Sequence, residues 1–145
     1  MLKKDTEELE EALHEARDVR DYFDENADEL AERTLAEELA RLLAEKHLTK
    51  ALVAERSGLD RTYAYHIFGG TKPHPAREKV LALALALGLT PKEAQHLLYY
   101  ARCPRLYVRN AWDSIVWHAL EKGLSVTEAN LLIEELGEKP LLGIE

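Results

Sequence analysis

The chain has 145 residues, 46% hydrophobic and 32% charged, with 7 Gly and 5 Pro; this suits one ordered, mostly helical domain with an appendage and excludes a low-complexity or disordered protein. The formal net charge of −8 is wrong for a generic nucleic-acid binder, but it is unevenly spread: residues 1–33 hold 5 Lys/Arg and 13 Asp/Glu, residues 34–103 hold 10 and 7, and residues 104–145 hold 4 and 7. One cysteine, Cys103, excludes an intramolecular disulfide, no run approaches the ~20 apolar residues of a membrane span, and MLKKDTEELEEAL is not a signal peptide, so a cytoplasmic protein is expected.

The first predicted element is an acidic amphipathic leader helix within residues 1–33. Leu9, Ala12, Ala16, Val19, Phe23 and Leu30 recur at steps of three and four, Asn26 takes an inward position, and Asp5 with Glu8 has the pattern of a capping box. Such a stripe packs on its own domain or dimerises, Asn26 then setting the register.

Thr34 and Glu37 open a helix through about Lys46, with Leu35, Leu39, Leu42 and Leu43 on its apolar face. Thr49 caps KALVAERS, which Gly58 stops, and Asp60 caps RTYAYHIF, which Gly69 and Gly70 terminate. Two helices joined by about three residues around a glycine make a helix-turn-helix. Within the second, Ala64 and Ile67 point inward, Phe68 is expected to be buried and Tyr63 partly so. The run VLALALALG alternates like a strand, but Ala and Leu favour helix and Pro75 and Gly88 bracket it, so a buried helix is predicted over 76–87. Thr90 and Glu93 then box PKEAQHLLYYAR, which stops before Pro104.

The strings GLTPKEAQHLL (88–98) and GLSVTEANLLI (123–133) share GL-[ST]-x-x-E-A, so a helical hairpin is written twice, by repetition or by shared capping grammar. A helix over 110–122, with Trp112, Ile115, Val116 and Ala119 on its apolar face, precedes the second copy; Gly137 ends the last helix and EKPLLGIE reads as extended. The expected organisation is a leader (1–33), a helix-turn-helix domain (34–103) and a C-terminal hairpin packed on it (104–145).

The stretch LARLLAEKHLTKALVAERSGLDRTYAYHIFGGTKPHPAREKVLALALALGLTPKEA, residues 39–94, resembles the helix-turn-helix domain of the XRE-type, phage-repressor-like regulators. The resemblance is carried by L-T-K-x-x-V-A-x-x-S-G-L-D-R-T, inward Ala64 and Ile67, a loop of glycine and proline, and the ending A-L-G-L-T. More loosely, residues 34–142 resemble a group of uncharacterised helix-turn-helix proteins of Gram-positive bacteria. The resemblance implies an all-α protein: a repressor-like five-helix domain, flanked here by the acidic helix and the C-terminal hairpin. It also implies a homodimeric, sequence-specific transcriptional regulator that binds double-stranded DNA with residues 60–68 in the major groove. By position, Thr49 and Lys50 meet phosphates, Arg61, Thr62, Tyr65 and His66 face the bases, and Lys72, Arg77 and Lys79 grip flanking phosphates.

Two features keep other readings open. The exposed face of residues 60–68 has one permanent cation and is otherwise aromatic or neutral, which equally suits a protein partner and hence an adaptor that keeps the fold. The leader is acidic enough to compete with phosphates for the basic middle of the chain. The six histidines lack metal-ligand spacing, no serine stands in a nucleophile elbow, and Gly69 with Gly70 fits helix termination, so no catalytic site, metal or cofactor is expected.

Overall fold

The computed structural model describes residues 4–30 and 32–142, and contacts divide the chain after Arg33 into two units. It is all-α: the described residues form ten helices and no strand.

The first unit corrects the expectation of one continuous leader helix. Three short helices stand there: α1 (Thr6–Glu15), α2 (Val19–Glu25) and α3 (Ala27–Leu30). Asp5 caps α1 by accepting from Glu8 N at 2.8 Å. The first break comes at Ala16, which turns extended (ψ 137°), and at Asp18, which accepts from Arg20 N at 2.8 Å and starts a new helix. Asn26 makes the second break. Instead of setting a coiled-coil register, it is buried at the end of α2, donates to Tyr22 O (3.0 Å) and accepts from Lys4 Nζ (2.6 Å). The single stripe is therefore lost: Tyr22 is buried, while Val19, Phe23 and Leu30 are exposed.

The second unit starts with α4 (Leu35–Glu45), where the Thr34–Glu37 box is closed in both directions at 3.0 and 3.1 Å. There follow α5 (Lys50–Ser57), α6 (Arg61–Phe68), α7 (Arg77–Ala86), α8 (Pro91–Tyr100), α9 (Ala111–Lys122) and α10 (Val126–Glu135). The strand-like run lies in α7, and every residue from Val80 to Ala86 is buried. Alternation carries no information once all faces are covered; the helix preference of Ala and Leu then decides. A helix apolar all round must be central, and α5, α8, α9 and α10 all pack on α7.

The repeated string builds the same joint twice. Gly88 and Gly123 are both left-handed (φ 68°), and the leucine after each bonds back five residues, Leu89 N to Ala84 O at 3.0 Å and Leu124 N to Ala119 O at 2.9 Å. Capping boxes Thr90–Glu93 and Ser125–Glu128 then open α8 and α10. After α10 the chain turns inward. Leu141 is buried, its amide donating to Asn130 Oδ1 (2.7 Å), and Trp112 Nε1 donates to Lys139 O (2.7 Å).

Candidate nucleic-acid interface

The turn between α5 and α6 is built by residues that the sequence marks. Gly58 takes φ 74°, a conformation that costs a residue with a Cβ about 1 kcal/mol or more. Asp60 accepts from Tyr63 N at 3.1 Å and starts α6. Ser57, the serine of S-G-L-D-R-T, is fully buried; it donates to Ala54 O (2.7 Å) and accepts from Leu59 N (3.2 Å), so its hydroxyl stitches the turn. The C-terminal segment closes over this corner, since a Cβ on Gly58 would lie 3.3 Å from Leu142 Cδ1.

Ala64 and Ile67 are fully buried and Phe68 nearly so, which fixes the roll of α6 against α4 and α5. Arg61, Thr62, Tyr65 and His66, at helical spacing on the opposite side, are all exposed. Arg61 lies along Tyr65: its Cζ is 5.4 Å from the ring centroid and Nη2 is 3.4 Å from the hydroxyl. Tyr65 itself meets Phe68 edge-on (6.3 Å), so the guanidinium rests on a ring anchored in the core.

Thr49 and Lys50 are exposed at the start of α5, and Thr49 Oγ1 accepts from Leu52 N at 3.2 Å. A helix start carries unpaired N–H groups and a positive end of the dipole, which favour an anion there. Half-buried Tyr63 gathers two more cations beside α6: Lys72 Nζ lies 6.0 Å and Lys79 Nζ 5.9 Å from its ring centroid. The loop that carries Lys72 is itself bonded back to α6, Lys72 N donating to His66 O at 3.0 Å.

Arg77 is committed elsewhere, which removes it from the expected phosphate contacts. Its Nη1 and Nη2 donate to the Asp113 carboxylate (2.9 and 2.8 Å), Nε to Pro104 O (2.9 Å) and Nη2 also to Arg105 O (3.0 Å), while Cζ lies 5.7 Å from the Trp112 ring centroid. Asp113 is buried and also accepts from Tyr107 N at 2.8 Å. Burial pushes its carboxyl up, but the Arg77 guanidinium and the Tyr107 amide outweigh that and hold it below the usual carboxylate range. This clamp ties α7 to α9 and to the segment between α8 and α9. No sequence signal marked it, because the partners are 36 residues apart and each looks like an ordinary charge in a first helical turn.

Among the described residues no group of three or more His, Cys, Asp or Glu is placed to hold a metal ion, and no helix is long and apolar enough to cross a membrane. Residues 34–97 match the protein-family model described as a helix-turn-helix domain. That span runs from the cap of α4 into α8 and contains the whole α5–turn–α6 unit. No curated protein and no solved structure matches the chain.

Proposed function

We propose that the protein is a sequence-specific DNA-binding regulator of the XRE type, acting as a homodimer with α6 in the major groove. The single observation that carries this reading is the roll of α6 within the helix-turn-helix match. Its core side is occupied by Ala64, Ile67 and Phe68, and its open side presents Arg61, Thr62, Tyr65 and His66. Arg61 is the principal reader, its planar fork suiting guanine O6 and N7; Thr62 and Tyr65 offer apolar and hydroxyl contacts to neighbouring bases. Thr49, Lys50, Lys72 and Lys79 take phosphates and set the register. A two-fold dimer then places two α6 helices in half-sites about 34 Å apart.

The second reading, an adaptor that binds protein through the same face, is favoured by the Arg61–Tyr65 stack, since Arg and Tyr are common anchors at protein interfaces. Selection from random duplex DNA with the purified chain at two salt concentrations separates the two. Enrichment of a two-fold-symmetric motif with salt-dependent affinity supports the regulator. No enrichment, with the full chain or with residues 34–145, rejects it in favour of the adaptor.

A further inference from the structure

Residues 102–110, RCPRLYVRN, join α8 to α9 and lie outside the helix-turn-helix match. Arg102, Arg105 and Arg109 are all exposed, and among the described residues none of the three makes an ion pair. The backbone beneath them is held at successive residues. Arg77 binds the Pro104 and Arg105 carbonyls, and Gln95 accepts from Leu106 N (2.7 Å) and donates to Leu106 O (3.0 Å). Asp113 then takes Tyr107 N. Leu106 is buried, so the segment is nailed down between two outward arginines.

Its place matters as much as its charge. Cys103 Sγ lies 3.6 Å from Pro75 O, at the end of the loop that follows α6, and Arg77 ties Arg105 to the first turn of α7. That loop and that helix carry Lys72 and Lys79, which gather on Tyr63. Asp113 neutralises Arg77, and Glu78 is an exposed carboxylate in the same first turn.

We infer that residues 102–110 form a second element that contacts the DNA backbone, with Arg105 as its main phosphate ligand, Arg109 beside it, and Arg77 as the positioning residue that fixes the Arg105 backbone. The inference rests on the DNA-binding reading above and adds to it a contact supplied from outside the matched domain. DNA phosphate is the favoured occupant because the arginines are outward cations without an ion pair among the described residues, on a segment tied through Cys103 and Pro75 to the end of the loop that carries Lys72. Their rigid backbone also lowers the ordering loss on binding a regularly spaced anion.

The test is the salt dependence of binding by the full chain to its selected duplex and to a scrambled one, for wild type, Lys50→Ala, Arg105→Ala, Arg105→Lys and the pair Arg105→Ala/Arg109→Ala. For Arg105→Ala the slope of log K against log salt should shrink by about one, so that the fall in affinity between 50 and 200 mM salt is roughly fourfold smaller. The loss should be the same on both duplexes, the double variant should roughly double it, and Arg105→Lys should restore it. An unchanged slope for Arg105→Ala alongside a reduced one for Lys50→Ala overturns this inference and leaves the DNA reading standing. Absence of binding by wild type overturns both. A change in oligomeric state for Arg105→Ala at constant slope per protomer also overturns it, assigning the arginine to a protein contact.

Discussion

Replacing Asp113 by Asn tests how the second unit is held together. The carboxylate receives three hydrogen bonds, two from Arg77 and one from Tyr107 N, at 2.8–2.9 Å. Asn keeps the shape and one acceptor oxygen but turns an NH₂ toward groups that only donate, and it leaves the guanidinium without its counter-charge. Removing one partner of a buried pair costs about 3–5 kcal/mol. Here the Asp113 and Arg77 side chains remain 9% and 21% exposed, so water recovers part of that and about 2–4 kcal/mol is expected. For a unit of this size that corresponds to roughly 8–15 °C in Tm. The assay is urea unfolding followed by tryptophan fluorescence, because Trp112 stacks on Arg77 and reports directly on the clamp. The pH dependence supplies an independent arm. The folded pKa of Asp113 is depressed below 3.8, so its contribution is fully present above about pH 4 and is lost as pH falls through the folded value. The gap between wild type and Asp113→Asn should therefore close on acidification. A loss under about 0.5 kcal/mol at pH 7, or a gap unchanged down to pH 3, refutes the reasoning.

Other substitutions probe the interface itself. Thr49→Ala removes the cap on Leu52 N and should cost about 1 kcal/mol in thermal unfolding while weakening all DNA sequences alike, read by anisotropy titration. Gly58→Ala meets both a left-handed backbone and Leu142 Cδ1 at 3.3 Å; a loss of about 1–2 kcal/mol in urea unfolding is expected, and no loss would show that the C-terminal segment gives way freely. Deletion of residues 1–33 removes a segment of 13 acidic and 5 basic residues, and DNA affinity measured at low salt should rise; unchanged affinity dismisses an inhibitory leader.

Local chemistry made α5 and α6 legible. KALVAERS and RTYAYHIF are bounded by Thr49, Gly58, Asp60 and Gly70, and each of those residues acts on its own nearest amides or its own φ, so spacing alone locates the ends. The inward roll of α6 was readable for the same reason, from Ala64, Ile67 and Phe68. In the leader, a three-and-four stripe outweighed two breakers: Asp18, a good cap in the middle of the pattern, and Asn26, whose amide satisfies Tyr22 O and Lys4 rather than a partner helix. Arg77 was misassigned because its charge is visible in the sequence while its neutraliser, Asp113, is brought in only by tertiary packing. Arg105 was passed over because its context is made by contacts with Arg77, Gln95 and Asp113. The return of Leu141 and Leu142 is likewise tertiary, and the last three residues of the segment expected to be extended lie outside the described residues.

Assigning base reading to α6 is tested most directly by selecting sites from random duplex DNA with wild type and Arg61→Ala side by side. If the exposed face of α6 reads bases, both proteins recover the same two-fold-symmetric motif. Arg61→Ala should have relaxed preference at one position in each half-site and weaker affinity by roughly 1–3 kcal/mol. Motifs identical at every position, with equal affinities, would contradict a reading role for Arg61 and for the face on which it lies.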